Sequence, residues 1–133
     1  MLLSCMEKYF VDYKEVRDFA NWLADNVGAL MKEHTCKDWP VGVYGIPRGG
    51  LPLAVHLSHR LKLPLLAAPA SGCLVVDDIC DEGHTLASFK TDRYERNSLV
   101  VTMFERVNRV VAPHASFKKV EPGIWVELPW EHG

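Results

Sequence analysis

Three acids stand within five residues, at Asp77, Asp78 and Asp81. They follow the apolar, β-branched run Cys73-Leu74-Val75-Val76 and precede Gly83 and Thr85. Such a run predicts a buried strand, and the Gly-x-Thr predicts a loop that opens a helix at about Thr85. The acids then lie at the C-terminal end of the strand, where open α/β sheets bind their ligands. A helix start behind a Gly-containing loop presents free backbone N–H groups to an anion. Carboxylates beside it suit a ribose diol and a Mg²⁺ ion, which takes hard oxygen ligands. Acids are common in strand-to-helix turns, and a lone Asp-Asp would be an ordinary solvated turn. Three acids between an apolar run and a Gly-x-Thr point to ligand chemistry.

A second chemical stretch lies upstream. Val41–Ile46 reads as the first core strand, and Pro47-Arg48-Gly49-Gly50 follows at once. A helix from about Leu51 to Leu61 comes next, with Pro52 in its first turn, where a missing N–H costs nothing. The Gly pair lets backbone approach a ligand closely, and Arg48 adds a fixed cation. Alone, Arg-Gly-Gly after a strand is a weak signal. One strand ahead of an acidic loop, it becomes a strong one.

The stretch from Cys73 to Leu86 resembles the binding motif for 5-phosphoribosyl-1-diphosphate (PRPP) of the type I phosphoribosyltransferases, and Arg48-Gly49-Gly50 resembles their diphosphate loop. The resemblance implies roles. Asp77 and Asp78 would hold the ribose hydroxyls and Mg²⁺, with Asp78 as the metal ligand. Asp81 would sit near N7 of a purine and exchange a proton with it, as the catalytic group. Backbone amides of Glu82, Gly83, His84 and Thr85, with the Thr85 hydroxyl, would cradle the 5′-phosphate. Glu82 stands where the family prefers Thr; its N–H can serve the phosphate while its carboxylate points to solvent. His84 can return positive charge when protonated. Arg48 and Gly49 would hold the diphosphate.

Two further places carry the likeness, which is greatest to the bacterial xanthine–guanine members. Ser98–Phe104 reads as the clearest strand of the chain, and Arg106 just beyond it aligns with a family cation that contacts the exocyclic oxygen of a 6-oxopurine. The tail from Glu121 to Glu131 resembles the family's base pocket, so Trp125 would stack on the ring and Val126 would offer backbone hydrogen bonds. The ordinary role for such Trp residues, Trp130 included, is to cover a core edge.

One feature departs from the family. Leu63–Ala67 reads as a second short strand, and only about six residues, Ala68 to Cys73, lead on to the motif. The family places a long flexible hood there, which closes over the site and excludes water. Six residues span at most about 20 Å, and a five-residue strand is about 16 Å long. The link can just return to a parallel strand if nearly extended; otherwise the second strand is short or runs antiparallel. The usual hood cannot be present.

The positioning elements complete the reading. Asp12 with Glu15 looks like a capping box, followed by Val16, Phe19, Ala20, Leu23, Val27 and Leu30 at helical spacing, which predicts a helix over 13–33. Another helix is expected from Leu86 to about Asn97. Strands alternating with helices predict an α/β fold: a small, mostly parallel twisted sheet flanked by helices, of phosphoribosyltransferase type. The 133 residues suit one domain, 1–133. A net charge of −2 gives no strong field toward nucleic acid or membrane, and no run approaches the length of a membrane span. The four cysteines (Cys5, Cys36, Cys73, Cys80) show no Cys-x-x-Cys spacing and read as reduced thiols of a cytoplasmic protein.

Two functions are therefore expected. The first is a Mg²⁺-dependent enzyme that transfers ribose 5-phosphate from PRPP to a 6-oxopurine, with only small molecules as substrates and a dimeric or tetrameric assembly. The second is a non-catalytic PRPP- or nucleotide-binding regulatory protein of the same fold, which the missing hood favours.

Overall fold

The computed structural model describes residues 7–35, 37–81, 86 and 98–131. In chain order the elements are β1 (Glu7–Phe10), α1 (Tyr13–Thr35), β2 (Val43–Gly45), α2 (Gly50–Leu61), β3 (Leu74–Cys80), β4 (Leu99–Arg106), β5 (Ala115–Val120) and β6 (Ile124–Glu127), closed by a 3-10 turn at Pro129–Glu131. Strands β2-β3-β4-β5 form one sheet in that order, and β1 pairs with β6 in a second. Every strand pairing among the described residues is parallel. The α/β architecture expected from the alternation of strands and helices is therefore present. The helix expected from Leu86 to Asn97 lies, apart from Leu86, outside the described residues.

The second strand is where sequence and structure differ most. Of the stretch 63–67, only Leu65 bridges β2, parallel, at Val43. Val43 N–H donates to Pro64 O at 2.9 Å, and Leu66 N–H to Val43 O at 2.8 Å. A short link must carry the chain across β2 to reach β3, so the edge strand is cut to one bridge and the link takes the residues it would have used. The direction stays parallel.

Helix α1 forms because its apolar residues recur on one face: Val16, Phe19, Ala20, Leu23, Val27 and Met31 are buried. Asp12 caps it, with Oδ1 accepting from Glu15 N–H at 2.9 Å. The reciprocal half of the capping box is replaced: the Glu15 carboxylate accepts from Tyr9 OH and from Lys118 Nζ, both at 2.5 Å. That contact ties the helix start to β1 and β5. Helices α1 and α2 share one core with Leu74, Val76, Leu99, Val101 and Met103, while Val75, Val100, Cys73, Ile46 and Leu86 cluster together on the opposite face.

Along β3 this in–out alternation slips by one residue. Beyond the acids, Ile79 packs with the first core and Cys80 with the second. On β4, Met103 and Phe104 both join the first core, and Phe104 is the register partner of Ile79. The slip on β3 coincides with local side-chain bonding. Asp78 N–H donates to Asp77 Oδ1 at 2.9 Å, and Ile79 N–H to Asp78 Oδ1 at 2.7 Å. Aspartates compete for neighbouring N–H groups in this way wherever the backbone leaves regular geometry.

Candidate active site

The loop between β2 and α2 is built against the backbone of β3. Ile46 N–H donates to Val76 O at 2.9 Å, and Gly50 N–H closes the turn on Ile46 O at 2.8 Å. The Pro47–Arg48 peptide is cis. No side chain caps α2, so its first turn is left to backbone groups. A Cβ on Gly50 would stand 2.4 Å from Val76 O, and one on Gly49 would stand 2.0 Å from Asp78 Oδ2. Only glycine permits both approaches, and the second brings the Asp78 carboxylate flat against the loop.

Two pockets open beside Asp78. A cleft of about 710 Å³ is lined by Arg48, Gly49, Asp78, Trp130 and Glu131. A smaller one of about 130 Å³ is lined by Asp78, Ile79, Asp81, Arg106, Trp125, Val126, Leu128 and Glu131. Asp78 and Glu131 belong to both, so they form the wall that the two pockets share. Residues read from four separate stretches of sequence, Arg48 and Gly49, Asp78 and Asp81, Arg106, and Trp125 and Val126, thus line adjoining spaces beside the C-terminal ends of β2, β3 and β4. Glu82, Gly83, His84 and Thr85 lie outside the described residues.

The electrostatics of the two acids are unusual. Asp77 is pushed up to about 8, first by burial, then by the charge of Asp78 and a hydrogen bond with it. Among the described residues no cation lies within ion-pair distance of either acid. Cys80 is raised to about 11 by burial, then by the Glu105 charge. It is a structural thiol, donating to Val111 O at 3.3 Å, and is free of disulfide, as is Cys73.

Arg106 is engaged through two of its three guanidinium nitrogens. Its Nε donates to Asp81 Oδ1 at 2.6 Å, and its Nη1 donates to Glu121 O at 3.2 Å and to Ile124 O at 2.7 Å. The guanidinium is thus joined to Asp81 and to the turn before β6, and it lines the smaller pocket. Trp125 is 52% exposed and faces no stacking partner among the described residues, while the next residue, Val126, is buried in the core. Glu105, the residue before Arg106, is buried and held by Lys119 Nζ and Ser116 Oγ, each at 2.7 Å, and by Arg109. Burial opposes its ionisation, but the hydrogen bonds from Lys119 and Ser116 and the two nearby cations hold its carboxyl below the usual range.

Trp130 and Glu131, with Ile79 and Leu128, are the lining residues that sequence reasoning left unassigned. A signal existed for Glu131. In Leu128-Pro129-Trp130-Glu131 the proline suits a first helical position, and the Glu carboxylate reaches back to Leu128 N–H at 2.9 Å, as in a capping box. The indole Nε1 of Trp130 is buried without a hydrogen-bond partner among the described residues.

No family model matches the chain, and no curated protein matches it. Solved structures do. A purine phosphoribosyltransferase from Pyrococcus horikoshii superposes with a TM-score of 0.73 at 21% identity, covering 96% of this chain and 97% of that one. A xanthine-guanine-hypoxanthine phosphoribosyltransferase from Helicobacter pylori gives a TM-score of 0.77 at 17% identity, covering 95% of each chain. A hypothetical protein from Neisseria gonorrhoeae with bound ppGpp gives a TM-score of 0.69 at 16% identity, covering 95% of this chain and 90% of that one. The chain thus has the type I phosphoribosyltransferase fold over nearly its whole length. Among the described residues no helix is long and apolar enough to cross a membrane.

Proposed function

We propose that the protein is a phosphoribosyltransferase that transfers ribose 5-phosphate from PRPP to a 6-oxopurine base. The observation that carries this reading is Asp78, held flat on the Arg48–Gly49 loop and shared by the two pockets. A substrate with diphosphate on one side of a ribose and a base on the other needs that arrangement. In the reaction the C1′–O bond to diphosphate breaks, a C1′–N bond to the ring forms, and the ring proton leaves to Asp81. Arg48 and the first turn of α2 would take up charge on the departing diphosphate. Trp125 would stack on the ring, with Val126 beside it.

The acids fit a Mg²⁺ ion. Asp77 and Asp78 offer adjacent, partly buried oxygens with no cation within ion-pair distance among the described residues, and their repulsion helps push Asp77 up. Asp78 would hold the ion, with ligand oxygens completing its shell. When bound, Mg²⁺ would neutralise diphosphate charge.

A second reading has its own observation. The link after Leu65 is short and the edge strand is one bridge, so no long hood covers the clefts from that side. A binder of guanine nucleotides that performs no transfer fits this, and the Neisseria gonorrhoeae protein of the same fold holds ppGpp.

An absorbance assay with PRPP, Mg²⁺ and each of guanine, xanthine, hypoxanthine and adenine, run beside calorimetric titration of PRPP and the nucleoside monophosphates, separates the two. Turnover of a 6-oxopurine supports the enzyme. Tight nucleotide binding without turnover selects the binder. Neither turnover nor binding overturns both.

A further inference from the structure

We infer that Arg106 is a positioning residue that assembles the smaller pocket, acting as a bracket between three chain segments. Its Nε holds Asp81 at the end of β3, and its Nη1 gives one hydrogen to Glu121 O and the other to Ile124 O. The guanidinium itself is mounted on the last residue of β4. Asp81, Arg106, Trp125 and Val126 all line the same pocket, so one side chain fixes the acid on one wall and the aromatic on another. A planar fork with five donors can satisfy a carboxylate and two carbonyls at once, and a lysine ammonium cannot hold that geometry.

Mounting of the bracket is itself secured. Glu105, the preceding residue, is tied down by Lys119, Ser116 and Arg109, and Arg106 pairs with Val120 in the β4–β5 register. The turn it grips is loosely packed. Gly123 has a φ of +88°, and a Cβ there would meet nothing within 4 Å. Trp125 is half exposed, and the turn's own bond, Ile124 N–H to Glu121 O, is long at 3.4 Å. With β1 pairing β6 on one side, Arg106 supplies the anchor on the other. Two of its three guanidinium nitrogens are thereby used. Among the described residues Nη2 has no hydrogen bond and is the donor left for a ligand oxygen.

The consequence for ligands rests on the reading of this pocket as the base subsite; the bracket itself does not. Two measurements keep them apart. In the ligand-free protein, amide hydrogen exchange of residues 121–126 should quicken at least tenfold in Arg106→Ala and in Arg106→Lys, with α1 amides unchanged. Unchanged exchange at 121–126 overturns the bracket, whatever the protein binds. Calorimetry with a purine nucleoside monophosphate and, separately, PRPP then tests the consequence. Both variants should lose ten- to hundredfold in nucleotide affinity while PRPP affinity stays within twofold. Full rescue by Arg106→Lys would show that charge alone matters and overturn the bracket. If wild-type protein binds PRPP and no purine nucleotide, the base-subsite reading fails, and the exchange result still decides the bracket.

Discussion

The ends of β3 and β4 lie side by side, and each carries adjacent charged residues, yet they are treated in opposite ways. At the end of β4, Glu105 has three partners from β5 and the following turn, and Arg106 has three acceptors from two segments. At the end of β3, Asp77 and Asp78 bond to neighbouring N–H groups and to each other, and among the described residues no cation lies within ion-pair distance of them. Compensated charge builds structure; two adjacent acids without a counter-charge drive one of them to keep its proton, and a ligand that brings a cation can take that proton's place. On the proposed function, β4 scaffolds the site and β3 binds the ligand.

The sharpest way to break that assignment is Asp78→Ala. Mg²⁺-dependent PRPP binding should be lost in calorimetry while the melting temperature holds or rises; intact binding would return the acids to the scaffold. Next is Glu105→Gln, which leaves Arg109 and Lys119 without their shared carboxylate. It should destabilise by about 1.5–3 kcal/mol in urea unfolding, and a change below ~0.5 kcal/mol would erase the contrast. Trp125→Ala should weaken nucleotide binding by roughly 1–3 kcal/mol, by analogy with aromatic–base stacking, with little change in stability because the ring is half exposed.

The most diagnostic test is pH dependence, because the two ends should respond to pH with opposite sign. Folded Asp77 keeps its proton up to about pH 8, whereas an unfolded aspartate loses it near ~3.9. Between those values the folded state binds more protons, so this group's contribution makes stability fall as pH rises. Glu105 is held below its ordinary range, so its contribution is present at neutral pH and is lost as pH falls through the carboxylate range. Melting curves of ligand-free Asp77→Asn should therefore lose the decline that runs from about pH 4 to about pH 8, and those of Glu105→Gln should lose part of the decline toward acid pH. The same change in both variants would mean that the two ends are electrostatically alike.

The legible parts of this molecule were those written locally. The β-branched run of β3 and β4, the 3.6-residue apolar face of α1 and the Arg-Gly-Gly before α2 each declare their structure within a few residues. What stayed hidden depends on distant partners. β1 and β5 read as mixed, half-polar segments (Glu-Lys-Tyr-Phe, Ala-Ser-Phe-Lys-Lys-Val) because each is a sheet edge with one wet side. The Leu65 strand looked longer than one bridge because the span the link must cover is a three-dimensional fact. Residue types in 77–81, 106 and 125 pointed to one site, but that Arg106 would hold Asp81 and two carbonyls follows from the spacing of three segments that sequence does not order. Glu131 was missed for the opposite reason, since its local back-bond hid a residue that also walls two pockets.

The pairing of β1 with β6 has a consequence for how this domain is made. Among the described residues the strand that carries Trp125 has no partner in the main sheet and pairs with the first strand described. During synthesis the domain's opening strand must wait, unpaired, while everything between is built, and Lys8 meets Glu127 only when the closing strand emerges. The smaller pocket is thus a product of completion: a nascent chain can already own its acids and its Arg-Gly-Gly turn, yet it acquires the aromatic wall only when the ribosome delivers the end of the domain.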